Sequence, residues 1–113
     1  MNKAYPELTK EILKYLKDIK RYTPDIMQGT FDLSQTVFKA GSLDKKTKEM
    51  LALAIAVATR CDGCIGFHTE ALVKLGITTE EIAELLGVAI YMGGGPSIMT
   101  AADVMKAFEQ FKT

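Results

Sequence analysis

Both cysteines and the single histidine of this 113-residue chain fall in one short segment, Cys61-Asp62-Gly63-Cys64-Ile65-Gly66-Phe67-His68. Two cysteines scattered at random over this length would land three residues apart roughly once in sixty cases, so the spacing stands above background. On a helix, positions 61, 64 and 68 share one face. Cys61 would sit at the helix start, where free backbone N–H groups and the helix dipole favour a thiolate. Cys64 would lie one turn from His68, within reach of an imidazole that can take the thiol proton. A thiol, a second thiol and a base are the parts of a dithiol redox site.

The elements that must position these groups read as helices. Leu8, Ile12, Leu16 and Ile19 form a stripe over Tyr5 to Tyr22, with Pro6 in the first turn. Thr23-Pro24 breaks it, and Asp25 is a plausible cap for a second helix reaching about Ala40, with Gly41 as its stop. Its apolar positions are Ile26, Met27, Phe31, Val37 and Phe38. Asp44 caps a third helix, Lys45 to about Arg60, whose second half is apolar all round and suits a bundle centre or a subunit contact. The fourth starts near Cys61 or Asp62 and ends at Gly76. Thr78 and Glu81 form a capping box for a fifth, carrying Ile82, Leu85, Leu86, Ala89 and Ile90. Gly93-Gly94-Gly95-Pro96 ends it as a tight helix–helix turn, and a sixth helix is expected to bury Ile98, Met99, Ala102, Met105 and Phe108. The three glycines lack a following Lys-Ser or Lys-Thr, which a phosphate loop requires. The six methionines read as core filler. The fold class is all-α, a single domain over residues 1–113.

Composition narrows the function. Lys plus Arg is 14 and Asp plus Glu is 14, a formal net charge of zero. That argues against a basic nucleic-acid binder, and the lysines of the first two helices read as a solvated face offset by acids. No apolar run approaches the length of a membrane span, and no signal peptide is evident at Met1, so a soluble cytoplasmic protein is expected. In a reducing compartment, paired cysteines serve catalysis or metal binding more often than structure.

Glu49 is the fourth candidate. It precedes Cys61 by twelve residues on the third helix. A reverse turn near Arg60 would carry His68 back about 10 Å, whereas Glu49 lies about 18 Å back. Helix crossing, side-chain reach or a water would have to close the offset, and Lys45-Lys46-Thr47-Lys48-Glu49 otherwise looks like an exposed first turn. A carboxylate there would fix the tautomer of His68.

Glu49, then Cys-x-x-Cys-x-x-x-His, with Met92-Gly93-Gly94-Gly95-Pro96 downstream, resembles the carboxymuconolactone decarboxylase family and within it the alkylhydroperoxidase D-like branch. The resemblance covers roughly residues 25 to 111. It implies a compact all-helical fold of about six helices and a homo-oligomer, a hexamer or trimer. It implies that Cys64 attacks peroxide and becomes a sulfenic acid, that Cys61 donates a proton and then resolves it to a disulfide, that His68 is the base, and that Glu49 supports it. Helix-dipole reasoning alone would name Cys61 as the nucleophile; the single turn between Cys64 and His68 favours Cys64. Peroxidase members carry a second His just before the second cysteine, where this chain has Gly63, so the pattern here lacks that proton-transfer group and keeps thiol–disulfide exchange. The resemblance implies no cofactor, a peroxide or disulfide substrate, and a dithiol reductant protein of lipoyl or thioredoxin-like type.

Other readings differ in class. Cys61, Cys64 and His68 could be three ligands of a zinc-binding module, with Glu49, water or another subunit as the fourth. The cysteines could also be incidental to a structural or binding protein. A decarboxylase-related enzyme is a further reading, although the decarboxylases that give the family its name lack the cysteine pair.

Overall fold

A computed structural model describes residues 4–113. Six helices follow in order: α1 Tyr5–Tyr22, α2 Pro24–Val37, α3 Lys45–Thr59, α4 Asp62–Lys74, α5 Thr79–Gly93 and α6 Gly95–Lys112. The chain is an all-α globule. α3 and α4 pack on each other at its centre, α5 covers α3, α6 lies against α3, α4 and α5, and α1 crosses α4 and α6. Leu53, Val57, Ile65, Leu72, Ile82 and Val104 are the fully buried side chains that join these layers.

Local chemistry sets the boundaries. The Asp44 carboxylate accepts the Thr47 backbone N–H at 2.7 Å and starts α3. α3 ends in a Schellman pair, Cys61 N–H to Ala56 O and Arg60 N–H to Val57 O, with Arg60 left-handed at φ 57°. α4 ends the same way, Ile77 N–H to Leu72 O and Gly76 N–H to Val73 O, but with glycine at the positive φ. Thr78 and Glu81 complete the expected capping box of α5.

The structure differs from the sequence pattern in several places. α2 stops at Val37, short of Ala40, and its N-cap is Thr23, with Asp25 inside the first turn. None of its side chains is buried, because α2 packs against α1 alone. In α6 the buried face is Ser97, Thr100, Ala101, Val104, Ala107 and Phe108. Ile98 and Met99 are on the outside, as is Ala102, because small residues at 97, 100, 101 and 107 let α6 approach its neighbours closely. Met92, like Met99, is exposed, so these two methionines are not core filler. The apolar half of α3 is also one-sided: Leu53, Ala56 and Val57 are buried, whereas Leu51 and Ile55 face outward.

α1 reaches α4 where α4 has no side chains. A Cβ at Gly66 would lie 2.7 Å from Thr9 Cγ2, and one at Gly63 would lie 2.9 Å from Ile12 Cδ1. These glycines give α1 its seat against the first two turns of α4.

Glu81 links cap chemistry to pH. The Thr78 backbone N–H, then the Lys46 ammonium at 2.9 Å, hold its carboxyl below the ordinary value of 4.5. A depressed folded-state value contributes stability above the ordinary value, and that stability is lost as pH falls through the folded one. Glu81→Gln is therefore expected to melt earlier than the wild type at neutral pH. The two melting curves converge as pH drops below about 4.5, which thermal unfolding followed by circular dichroism at stepped pH measures.

Candidate active site

The αL turn at Arg60 delivers Cys61 to the N-cap of α4. Its sulfur accepts the Cys64 backbone N–H at 3.2 Å, so the first sulfur of the pair occupies the positive end of the helix. Cys61 and Cys64 are joined as a disulfide with a Cα separation of 5.2 Å. Both are half-buried, and so is His68 one turn beyond Cys64.

Glu49 is not an exposed first-turn residue. It is 6% exposed, and its Oε1 lies 2.6 Å from His68 Nδ1. A carboxylate can only accept, so Nδ1 carries the proton in this contact and Nε2 of a neutral ring is the free acceptor. The offset expected for an ideal helical hairpin is closed without an intervening water, by helix crossing, side-chain reach or both. All four residues singled out in the sequence thus fall on one pair of helices, with Cys61, Cys64 and His68 on α4 or its cap and Glu49 on α3.

Two neighbours were not foreseen as part of the site. The Phe38 ring lies 5.6 Å from the His68 ring, tilted by 38°. It is placed by Lys48, whose ammonium donates to the Val37 and Lys39 carbonyl oxygens at 2.9 and 2.7 Å and so pins the end of α2. Phe38 also lines an open cavity of about 720 Å³ with Ser34, Gln35, Lys39, Lys45 and Glu49. This cavity brings solvent to the Glu49 side of the pair. On the opposite flank of α4, the Tyr5 hydroxyl donates to Asp62 Oδ1 at 3.4 Å. Burial, then Asp103, then Asp62 push the Tyr5 hydroxyl well above the ordinary phenol. No pattern in the sequence links residues 38 and 68 or 5 and 62; only the packing of α1 and α2 does.

The family model for carboxymuconolactone decarboxylases matches residues 24–107. The chain belongs to the carboxymuconolactone decarboxylase family. Its Cys61–Cys64 pair is consistent with the alkylhydroperoxidase D-like branch. Among solved structures it is similar to lpg0406, a protein of this family from Legionella pneumophila. The TM-score is 0.93 at 50% identity, with 96% of this chain and 97% of that one covered. It is also similar to a family protein of Thermotoga maritima for which a part in the antioxidative response has been suggested. There the TM-score is 0.71 at 34% identity, covering 76% of this chain and 89% of that one. A protein of Cupriavidus necator is 42% identical over 69 residues, a match that spans 61% of each chain.

Within this family fold, the position between Asp62 and Cys64 is closed to a side chain unless Ile12 moves. Among the described residues no group of three or more His, Cys, Asp or Glu is arranged to hold a metal ion. The two sulfurs are instead bonded to each other.

The Glu49 contact makes a prediction about the ring itself. ¹⁵N NMR of neutral His68 is expected to show mainly the Nδ1–H tautomer, and Glu49→Ala is expected to shift the population towards Nε2–H. An unchanged tautomer in Glu49→Ala would show that this hydrogen bond does not orient the ring.

Proposed function

We propose that this family member is a thiol–disulfide oxidoreductase that reduces a peroxide or a disulfide through Cys61 and Cys64. The observation that carries the reading is the 2.6 Å Glu49–His68 hydrogen bond, one helical turn from a half-buried, closed Cys61–Cys64 disulfide. A histidine aligned by a buried carboxylate presents Nε2 as a base, the role the thiol needs.

With a peroxide, the Cys64 thiolate attacks one oxygen of the O–O bond. The other oxygen leaves with the electron pair of that bond and takes a proton, giving an alcohol or water. Cys64 is now a sulfenic acid. Cys61 attacks its sulfur, the S–O bond breaks, water leaves, and the disulfide forms. An external dithiol, on a lipoyl-type or thioredoxin-like protein, then attacks the disulfide. It leaves as a disulfide itself, and two thiols are restored. With a disulfide substrate the first step gives a mixed disulfide in place of the sulfenic acid. Gly63 favours this second route, because the chain has no further proton-transfer group beside Cys64.

Cys64→Ser is expected to lower turnover of tert-butyl hydroperoxide and of a small disulfide, with dihydrolipoamide as reductant, at least about a hundredfold. Cys61→Ser is expected to accumulate a sulfenate or mixed disulfide on Cys64, visible by intact mass. His68→Ala should lose about 10²-fold or more. Undiminished turnover in Cys64→Ser overturns the mechanism.

The reading extends to a second copy of the chain as partner, in a homo-oligomer. α2 leaves Ile26 65% and Leu33 64% exposed, and with Val37 they form one stripe at spacings of seven and four. Elsewhere, Met50, Leu51, Ala54 and Val88 line an apolar groove between α3 and α5 with Glu84 on its rim. An exposed apolar stripe and an apolar groove cover each other when they meet on two copies of the chain. Leu33→Glu is expected to dissociate the assembly to a folded monomer, read by light scattering with circular dichroism. A wild-type protein that is already monomeric at micromolar concentration would overturn this.

A further inference from the structure

We propose that Tyr5 and Asp62 together set the reduction potential of the Cys61–Cys64 couple. In this arrangement the Asp62 carboxylate opposes thiolate formation, and the Tyr5 hydroxyl limits that effect by holding the carboxylate on the α1 flank of α4. The proposal rests on reading the pair as redox-active, and it assigns a role to residues outside the Cys–His–Glu set.

Asp62 follows the N-cap sulfur directly, as the first residue of α4. Adjacent Cα atoms are about 3.8 Å apart, so a carboxylate here lies at short range from Cys61, and the turn of its side chain sets how strongly it acts. That terminus is where a thiolate would gain from the helix dipole, and a negative side chain draws on the same positive end. The disulfide carries no charge. Its reduction takes up two electrons and two protons and yields two thiols, one of which ionises the more readily the lower its pKa. A nearby carboxylate therefore disfavours the reduced, partly ionised state and stabilises the disulfide.

α1 reaches the Asp62 side chain on one flank of α4. Tyr5, fully buried, donates its hydroxyl to Asp62 Oδ1. Thr9 and Ile12 sit over Gly66 and Gly63 on the same flank. Cys64 and His68 lie on another face of the helix. Tyr5 is itself anchored, since its backbone N–H donates to Gln110 Oε1 at 2.8 Å. The other charged group acting on this hydroxyl is Asp103 of α6. On the far side of α4 Glu49 is paired with His68.

The test uses the full chain equilibrated in dithiothreitol or glutathione redox buffers, with oxidised fractions read by mass after alkylation. Asp62→Asn is expected to shift the equilibrium towards the dithiol about three- to tenfold. Asp62→Glu, which keeps the charge, should stay near the wild type. Tyr5→Phe should shift the equilibrium towards the disulfide, and this shift should vanish in the Tyr5→Phe/Asp62→Asn double variant. Asp103→Asn is expected to move the equilibrium less than Asp62→Asn. An Asp62→Asn equilibrium within twofold of the wild type overturns the proposal, as does a Tyr5→Phe shift that persists without the Asp62 charge. The readout requires no turnover. Failure of the redox-enzyme reading would appear as wild-type turnover in Cys64→Ser, and failure of this proposal as unmoved equilibria, so the two remain distinguishable.

Discussion

A buried carboxylate has to be matched, and in this chain its partner is a histidine on the neighbouring helix. Glu49 lies within α3 at 6% exposure, and the short contact to His68 Nδ1 is the hydrogen bond that offsets its desolvation. That one pairing ties α3 to α4 beside their shared apolar core. It also determines which way the ring faces, because the nitrogen spent on Glu49 leaves the other as the acceptor. The left-handed Arg60 between the two helices is the other half of the constraint. A non-glycine residue at positive φ costs about 1 kcal/mol, and it is held by the two closing hydrogen bonds at Ala56 and Val57. Without that turn the first sulfur would not arrive at the N-cap of α4.

The helix that carries the sulfurs is packed differently on its two sides. Towards α3 it presents His68. Towards α1 it presents Gly63 and Gly66, with Ile12 and Thr9 pressed into the space their side chains would take. A bulkier residue next to Cys64 would need α1 to withdraw or Ile12 to turn. At Gly63 the contact is with the tip of the Ile12 side chain, so a small shift of that side chain would admit one. The seat of α1 also delivers the Tyr5 hydroxyl to Asp62, so the N-terminal helix reaches the start of α4 through packing and through a hydrogen bond at once.

Much of this could be read from the residues. α1, the Asp44 cap, the capping box at Thr78 and Glu81, and the apolar face of α5 follow from local rules of spacing and capping, which act within one helix and survive folding. The placing of Cys61 at the start of α4, with Cys64 and His68 within it, is legible for the same reason. Glu49 was harder. Ideal antiparallel geometry puts it about 8 Å out of register with His68, so spacing alone does not pair the two. In α6 hydrophobicity favours Ile98 and Met99 on the buried face, whereas close helix approach favours Ser97, Ala101 and Ala107. Phe38 was assigned to an apolar stripe, but it serves as a wall against His68. Contacts of that kind depend on how helices cross, and a periodic pattern does not encode crossing.

α2 shows where the constraints of a single chain end. It buries nothing and packs on one helix, yet its C-terminal end supplies Phe38 to the site and one side of the cavity that reaches Glu49. Isolated helices of this length are marginal in water, and α2 gains little from the rest of its own chain. Lys48 ties down its last carbonyl groups but not its apolar stripe. Two hydrogen bonds tie that end of α2 while its apolar face lies open, so the placing of Phe38 beside the imidazole rests on few contacts within the chain. The setting of His68 thus depends on α2 as well as on Glu49.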